Sequence, residues 1–303
     1  MEPVLEVDHV HKRYGDVVAV DDLSFAVPAG TVFGLLGPNG AGKTTTLEMI
    51  EGLRRPDAGR IRVLGHDVRT QARAVKARVG IQLQSSSFLD LLTVRETVDL
   101  VARLYPRALP RPALSGLIAR LGLDDKAASP VGRLSGGQRQ RLAVALALVN
   151  DPAVVFLDEP TAGLDPQSRR AVWEMVREWR AEGRTVVLTT HYMDEAEALA
   201  DRLVIIDRGR IVAEGPPREL VARHLPQSVV ELEAEDGVPA LRGVRRVEAA
   251  GGLVRLYTDD VNDTLVDLVD WSRRGGRVLR GLSTRSATLE DLFLALTGHS
   301  LRD

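Results

Sequence analysis

Residues 31–36 (TVFGLL) form an unbroken apolar run that leads through GPNGAGKTT into TTTLEMIEGL, where the spacing turns helical. A short run that is apolar on both faces reads as a fully buried strand, so the order here is strand, glycine loop, helix. Gly37, Gly42, Lys43 and Thr44 match G-x-x-x-x-G-K-[ST] in the context that pattern needs. Glycines let backbone N–H groups turn inward around phosphates, and the helix N-terminus adds partial positive charge. Lys43 then reaches the outer phosphates and Thr44 offers a hydroxyl to Mg²⁺. The whole run of Gly37, Pro38, Asn39, Gly40, Ala41, Gly42, Lys43, Thr44 and Thr45 is therefore the candidate phosphate cradle.

The remaining pattern places that unit in an α/β protein. Residues 5–27 alternate apolar stretches (LEVDHV, VVAV, LSFAV) with turn residues, which predicts antiparallel strands. From about 85 to 150 the spacing is helical, with Val94, Val98, Val101 and Tyr105 on one face and Leu114, Leu117, Ile118 and Leu121 on another. Buried strands return at 154–157, 185–190 and 203–207, with a helix between the first two that Pro166 opens. Apolar runs separated by helices predict a mainly parallel core sheet. After Glu214-Gly-Pro-Pro217 the rhythm changes to short strands with two helices, a small α+β C-terminal domain. The expected division is 1–222 for the nucleotide-binding domain, with a helical subdomain at about 86–150, and 226–303 for the accessory domain.

At 303 residues the chain exceeds the roughly 250 at which single cores stop growing, in keeping with two domains. A formal charge of −2 gives no global basic field pointing to nucleic acid, although charge alone leaves a local patch and the partner open; no nucleic-acid partner is expected on the reading as a whole. The absence of cysteine excludes disulfides, thiolate metal sites and Cys nucleophiles. The N-terminus lacks the basic start and long apolar run of a signal peptide, and the most apolar window, 142–149, is far shorter than the ~20 residues that cross a bilayer. Any work at a membrane needs another chain to supply the spans.

Two further stretches carry chemistry. Residues 154–157 (VVFL) bury a strand and deliver Asp158 and Glu159 at its end, the first placed to hold magnesium through water and the second to orient or deprotonate an attacking water. The stretch LSGGQRQR begins at Leu134, where Ser135 caps a helix running from about Gly136 to Asn150. Gly136 and Gly137 leave its first turn bare for close approach of a phosphate.

The order GPNGAGKT, a glutamine loop, LSGGQ, VVFLDEP, GLD ending at Asp165, and His191 after VVLTT resembles the ATP-binding-cassette (ABC) ATPases across about residues 4–220. The resemblance implies a P-loop NTPase cassette in which two chains stack head to tail, each ATP lying between one phosphate loop and the partner's signature, Ser135, Gly136, Gly137 and Gln138. It implies that Tyr14 stacks on adenine, that Gln84 senses the γ-phosphate and Mg²⁺, that Asp165 contacts the opposing cassette, and that His191 holds the γ-phosphate and the attacking water. The glutamine loop reads VGIQLQ, with Leu83 where the family often has proline, which leaves Gln82 as the alternative to Gln84.

HYMDEAE at 191–197 and TLEDLFLALTG at 288–298 are similar to the ATPase subunits of daunorubicin-type drug exporters, whose permease is a separate chain. The expectation is therefore a Mg²⁺-dependent ATPase, a homodimer, peripheral on the cytoplasmic face of the membrane and driving a separate multi-spanning permease. A soluble ABC ATPase acting on ribosomes or nucleic acid is the rival reading; it predicts a second cassette or a long coiled-coil insertion, and the chain has neither. A regulator that hardly hydrolyses is the third, and Glu159 together with His191 argues against it.

Overall fold

The computed structural model describes residues 3–83, 88–225, 228–234 and 238–298. In chain order the first elements are β1 (Pro3–Tyr14), β2 (Val17–Pro28), β3 (Val32–Leu36), α1 (Lys43–Ile50), β4 (Ala58–Val63), β5 (His66–Asp67), α2 (Ala72–Lys76) and β6 (Val79–Gln82). There follow α3 (Val94–Ala102), α4 (Arg111–Arg120), α5 (Gly136–Leu146), β7 (Val154–Asp158), α6 (Pro166–Ala181), β8 (Thr185–Thr190), α7 (Met193–Leu199), β9 (Arg202–Asp207) and β10 (Arg210–Gly215). The remainder is α8 (Pro217–His224), β11 (Ser228–Glu233), β12 (Val244–Ala250), β13 (Leu253–Thr258), α9 (Val261–Arg274), β14 (Arg280–Ser286) and α10 (Leu289–Thr297).

Six strands form the central sheet in the order β10-β9-β3-β8-β7-β6, parallel except for the antiparallel edge strand β10. Its inner strands β3, β8 and β7 are buried on both faces, which is why they read as continuous apolar runs. Along β7, Val155 and Leu157 enter one core with the helices α3, α4 and α5, while Val154 and Phe156 enter a second core with β1, β2 and α1. The period-two alternation of a strand thus ties the helical segment and the antiparallel sheet to opposite sides of one layer.

The antiparallel sheet, β2-β1-β4-β5, corrects one detail of the sequence reading. VVAV and LSFAV are not separate strands but parts of the twelve-residue β2. The polar interruptions at His9 and Asp22 are bulges: both residues have positive φ, and the β1–β2 register shifts beside them. A bulge bends a strand without ending it, so apolar alternation breaks although pairing continues. The helix expected to reach Asn150 also ends early, at Leu146, and residues 147–150 continue as a buried turn.

Contacts separate the chain into two units between Pro216 and Pro217. Helix α8 therefore groups with the later residues, packing on α10, whereas the sequence boundary keeps residues up to 222 in the first domain. The second unit is an antiparallel sheet, β12-β13-β11-β14, with Leu268 of α9 buried against Val230, Leu232, Val254 and Leu256. On α10, Asp291 is 1% exposed and accepts hydrogen bonds from Arg285, Tyr257 Oη and the Thr288 backbone. Burial opposes its ionisation, yet the bonds from Arg285 and Thr288 outweigh that and hold the carboxyl at about 2. The TLEDLF run thus earns its pattern by anchoring a helix to its own sheet.

Candidate active site

Because β3, β8 and β7 are parallel neighbours, their carboxyl ends fall on one edge of the sheet, where ligands of open α/β sheets bind. Register sets Leu36 beside Thr190 and Asp158 beside Thr189. The loop from β3 to α1, the acidic pair after β7 and His191 after β8 therefore converge.

The loop is shaped by the absence of two side chains. A Cβ on Gly37 would lie 2.2 Å from the Ile206 carbonyl oxygen, and one on Gly42, whose φ is 103°, would lie 2.3 Å from that of Ala19. Neither backbone oxygen can move aside, so both positions require glycine. Gly42 leads into α1, whose Thr46 N–H and Oγ1 both bond the Gly42 carbonyl. Asn39 and Gly40 are exposed at the loop tip, while Pro38, Ala41 and Lys43 are buried and Thr45 half-buried.

Lys43 Nζ donates to the Gly37 and Pro38 carbonyls at 2.8 and 3.0 Å and lies 3.7 Å from Glu159 Oε1. Burial pulls its ammonium below the ordinary lysine range, with the charges of Glu159 and Asp158 acting against that. His191 Nδ1 is 3.3 Å from the same Glu159 Oε1, and its ring lies 4.1 Å from that of Tyr192. Thr44 Oγ1 donates to Asp158 Oδ1 at 3.3 Å, and Thr189 Oγ1 bonds that oxygen too. Asp158 is pushed up by burial, and the neighbouring charge of Glu159 adds to the rise. A lysine, a histidine and two carboxylates thus share one largely buried cluster.

The donor set fits magnesium. A cation beside Asp158 relieves a buried carboxylate held next to a like charge, and a hydroxyl and a carboxylate are hard oxygen donors. Among the described residues there is no group of three or more His, Cys, Asp and Glu that can hold a metal. Mg²⁺ is usually held by one or two carboxylates together with substrate phosphates and water.

The signature residues form a second group at the start of α5. Ser135 Oγ accepts from Gln138 N at 3.3 Å while Gln138 Oε1 accepts from Ser135 N at 2.9 Å, a reciprocal capping box. Gln138 is thus engaged in its own helix cap. Gly136 has open space around it, whereas a Cβ on Gly137 would meet Ser168 Oγ at 2.6 Å. Asp165 caps α6, accepting from Gln167 N, Ser168 N and Ser168 Oγ, and these bonds, led by the Ser168 hydroxyl, hold its carboxyl below the usual range. Tyr14 ends β1, 39% exposed, with Lys12 Nζ and the Arg54 guanidinium each 5.4 Å from its ring centroid. Gln84 lies outside the described residues; Gln82 is buried in β6 and donates to the Leu83 and Asp158 carbonyls.

Sequence reasoning missed several residues beneath this cluster. Thr189 bonds both Asp158 and the Glu159 backbone N–H, and its only signal was a polar pair closing the apolar run VVLTT. Glu51, at the end of α1, is 1% exposed and has its carboxyl pushed up to about 8 by burial, with Asp158 and Glu48 adding. Between the unfolded value near 4.5 and 8 the folded chain binds the extra proton, so stability falls as pH rises through that window. Glu51→Gln is expected to stabilise the fold at pH 8 by an amount on the order of a few kcal/mol, seen as a higher midpoint of thermal unfolding, and to flatten the dependence of that midpoint from pH 5 to 8. Unchanged melting at pH 8 would remove the buried charge from the account.

An ABC transporter family model matches residues 20–162, and a second, the C-terminal domain of ABC transporter domain-containing proteins, matches 217–288. The chain is 44% identical to a Nod factor export ATP-binding protein I of Ralstonia nicotianae, over 99% of this chain and 96% of that protein. The chain belongs to the ABC transporter ATP-binding family. It is an ABC ATPase, and its hydrolysis of ATP is coupled to transport. The same protein of Paraburkholderia xenovorans is also 44% identical, over 100% of the cassette chain and 99% of its own. Among solved structures, an ATP-binding subunit of an ABC transporter superposes with a TM-score of 0.67 at 28% identity, covering 73% of this chain and 92% of that one. A dimeric ATP-binding cassette in a post-hydrolysis state, bound to ADP and Pi, gives 0.64 at 25% identity, over 70% and 98%.

Proposed function

We propose that this cassette is the ATP-hydrolysing subunit of an exporter, working as a head-to-tail pair of chains that share two ATPs and drive a separate membrane permease. The observation that carries the reading is the convergence of Lys43 and His191 on one oxygen of Glu159, at 3.7 and 3.3 Å, beside the glycine cradle. In it the cradle N–H groups and Lys43 bind the phosphates, and Tyr14 offers a ring to the base. Glu159 takes the proton of the attacking water, and His191 orients that water and the γ-phosphate. Thr44 and Asp158, with Gln84, would hold Mg²⁺, which would supply charge neutralisation for the phosphates. Ser135, Gly136, Gly137, Gln138 and Asp165 serve the partner's nucleotide; Ser135 Oγ accepts within its cap, which leaves the hydroxyl hydrogen for a phosphate.

Docking of the permease is placed on a groove of about 510 Å³ between β6 and the helical segment, lined by Ile81, Leu83, Phe88, Leu89, Leu92 and Leu100. Leu89 is 62% exposed and the adjacent Leu91 92%, apolar area of the kind that marks a protein contact. No described helix is long and apolar enough to cross a membrane. In this reading the permease supplies the spans and holds the cassette at the cytoplasmic face.

Export is supported by relatives named for Nod factor export over nearly their full length. For cargo we favour a drug or other small hydrophobic compound, on the HYMDEAE and TLEDLFLALTG runs. Each run buries one carboxylate, Glu195 or Asp291, and neither meets cargo in this reading, which leaves the cargo contacts to the permease. The test is copurification: a multi-spanning partner that stimulates phosphate release, and loses hold when Leu89 and Leu91 become Glu, supports the reading. Stimulation by ribosomes or DNA instead would overturn it.

A further inference from the structure

Glu159 stands in the left-handed region, φ 47°, a conformation that costs a non-glycine residue free energy and persists only when its surroundings impose it. Three side chains from three different elements supply that constraint. Thr189 Oγ1 of β8 accepts from Glu159 N at 2.9 Å. Gln140 of α5 donates its Nε2–H to the Pro160 carbonyl at 2.7 Å. Glu195 of α7 accepts from Thr161 Oγ1 at 2.8 Å, and Trp173 Nε1 of α6 donates to the same carboxylate oxygen at 3.0 Å. The turn is also closed within itself by Ala162 N donating to the Glu159 carbonyl at 3.1 Å.

Of these three, Gln140 has a consequence beyond local rigidity. It lies four residues after Gly136, one helical turn along α5, on the face that Gly136 shares by i, i+4 spacing. The start of the same helix is packed against the start of α6, where Gly137 leaves no room for a Cβ beside Ser168. A displacement of α5 therefore pulls on the Pro160 carbonyl, one residue from the glutamate.

We infer that Gln140 is a positioning residue: through Pro160 it sets the Glu159 carboxylate, and it does so from the helix whose first turn meets the other nucleotide. This rests on the reading that Glu159 is the base and that α5 presents its N-terminus to the partner's ATP. Under that reading one chain's signature serves one site and its Glu159 the other, so the bond from Gln140 to Pro160 joins the two sites within a single chain. Arrival of a phosphate at Ser135 and Gly136 then steadies α5, and with it the base of the opposite site.

Gln140→Glu keeps the shape of the side chain but sets an acceptor against the Pro160 carbonyl, whereas Gln140→Lys keeps a donor. The expected result for Gln140→Glu is a fall in kcat of about tenfold or more with KM for ATP within about twofold, since a small misplacement of a reacting group costs rate and not binding. Gln140→Lys is expected to recover most of the loss, with both variants melting as the parent does. In a Glu159→Gln background, Gln140→Glu is expected to change residual turnover by less than about twofold, because its effect passes through the missing carboxylate. Parental turnover in Gln140→Glu, failure of Gln140→Lys to restore it, or an undiminished loss in the Glu159→Gln background each overturns the inference. Failure of the underlying reading is separate: it is near-normal turnover of Glu159→Gln alone, whereas a crippled Glu159→Gln beside a normal Gln140→Glu rejects Gln140 only.

Discussion

Glu159→Gln is expected to lower ATP turnover by about 10²- to 10⁴-fold, the range for removal of a general base, while ATP still binds. The surroundings of the residue make the substitution a clean one. Its side chain is 9% exposed and the amide is isosteric, so packing is retained. Its charge is one of the causes that push Asp158 up, so neutralising it favours the ionised Asp158 that magnesium needs. Lys43 loses a partner, but its depression comes first from burial, and its bonds to the Gly37 and Pro38 carbonyls remain. Binding intact with hydrolysis blocked should accumulate ATP-closed dimers, visible as a second peak in size-exclusion chromatography with ATP and magnesium. Turnover within about twofold of the parent, measured by phosphate release, would take Glu159 out of the catalytic role.

Gly136→Asp is expected to abolish hydrolysis, by about 10²-fold or more, through the partner's site and not the chain's own. Among signature residues this position isolates that effect. Ser135 caps α5, so its replacement also removes a capping box worth about 1 kcal/mol. A side chain on Gly137 collides with Ser168. Gly136 has nothing within 4 Å of an added Cβ, and an acidic residue in the first turn of a helix is mildly favourable to that helix. The fold and the chain's own cradle should therefore be unaffected, while the new carboxylate repels a phosphate brought up by a second copy. The expected pattern is unchanged melting and unchanged monomer affinity for ATP, no ATP-induced dimer, and no turnover. Normal hydrolysis would return LSGGQ to a capped helix start. Mixing this variant with an excess of Lys43→Ala chains reports the same from the other side: in the mixed dimer one site joins the intact cradle of the Gly136→Asp chain to the intact signature of the Lys43→Ala chain, while the other lacks both halves, so phosphate release is expected to exceed that of either variant alone.

Much of the site was legible because its parts are local. The strand, loop and helix around Gly37–Lys43, the acidic pair after VVFL and the histidine after VVLTT are each declared by a buried strand ending in polar residues, and strand ends in a parallel sheet are where sites form. The helix faces at Val94 and Val98 and at Leu114, Leu117 and Ile118 were legible for the same reason, since period alone assigns them and all are buried. What period could not reveal is a bulge, so β2 read as two strands.

The linear order of residues determined the kind of chemistry: glycine where backbone must turn, lysine and threonine after it, carboxylates and a histidine at strand ends, and a glycine-bare helix start with no partner in its own loop. Tertiary structure alone decided how Glu159 is held. Gln140, Thr189 and Glu195 come from 19, 30 and 36 residues beyond or before Glu159, and no periodicity relates them to it. Nor does any local rule place Glu51 under Asp158, or give Glu159 a left-handed backbone. The physical reason is that spacing within an element says which way a side chain faces, whereas a hydrogen bond between elements depends on the packed distance between their backbones, which is set only when the sheet, α5 and α7 close on one another.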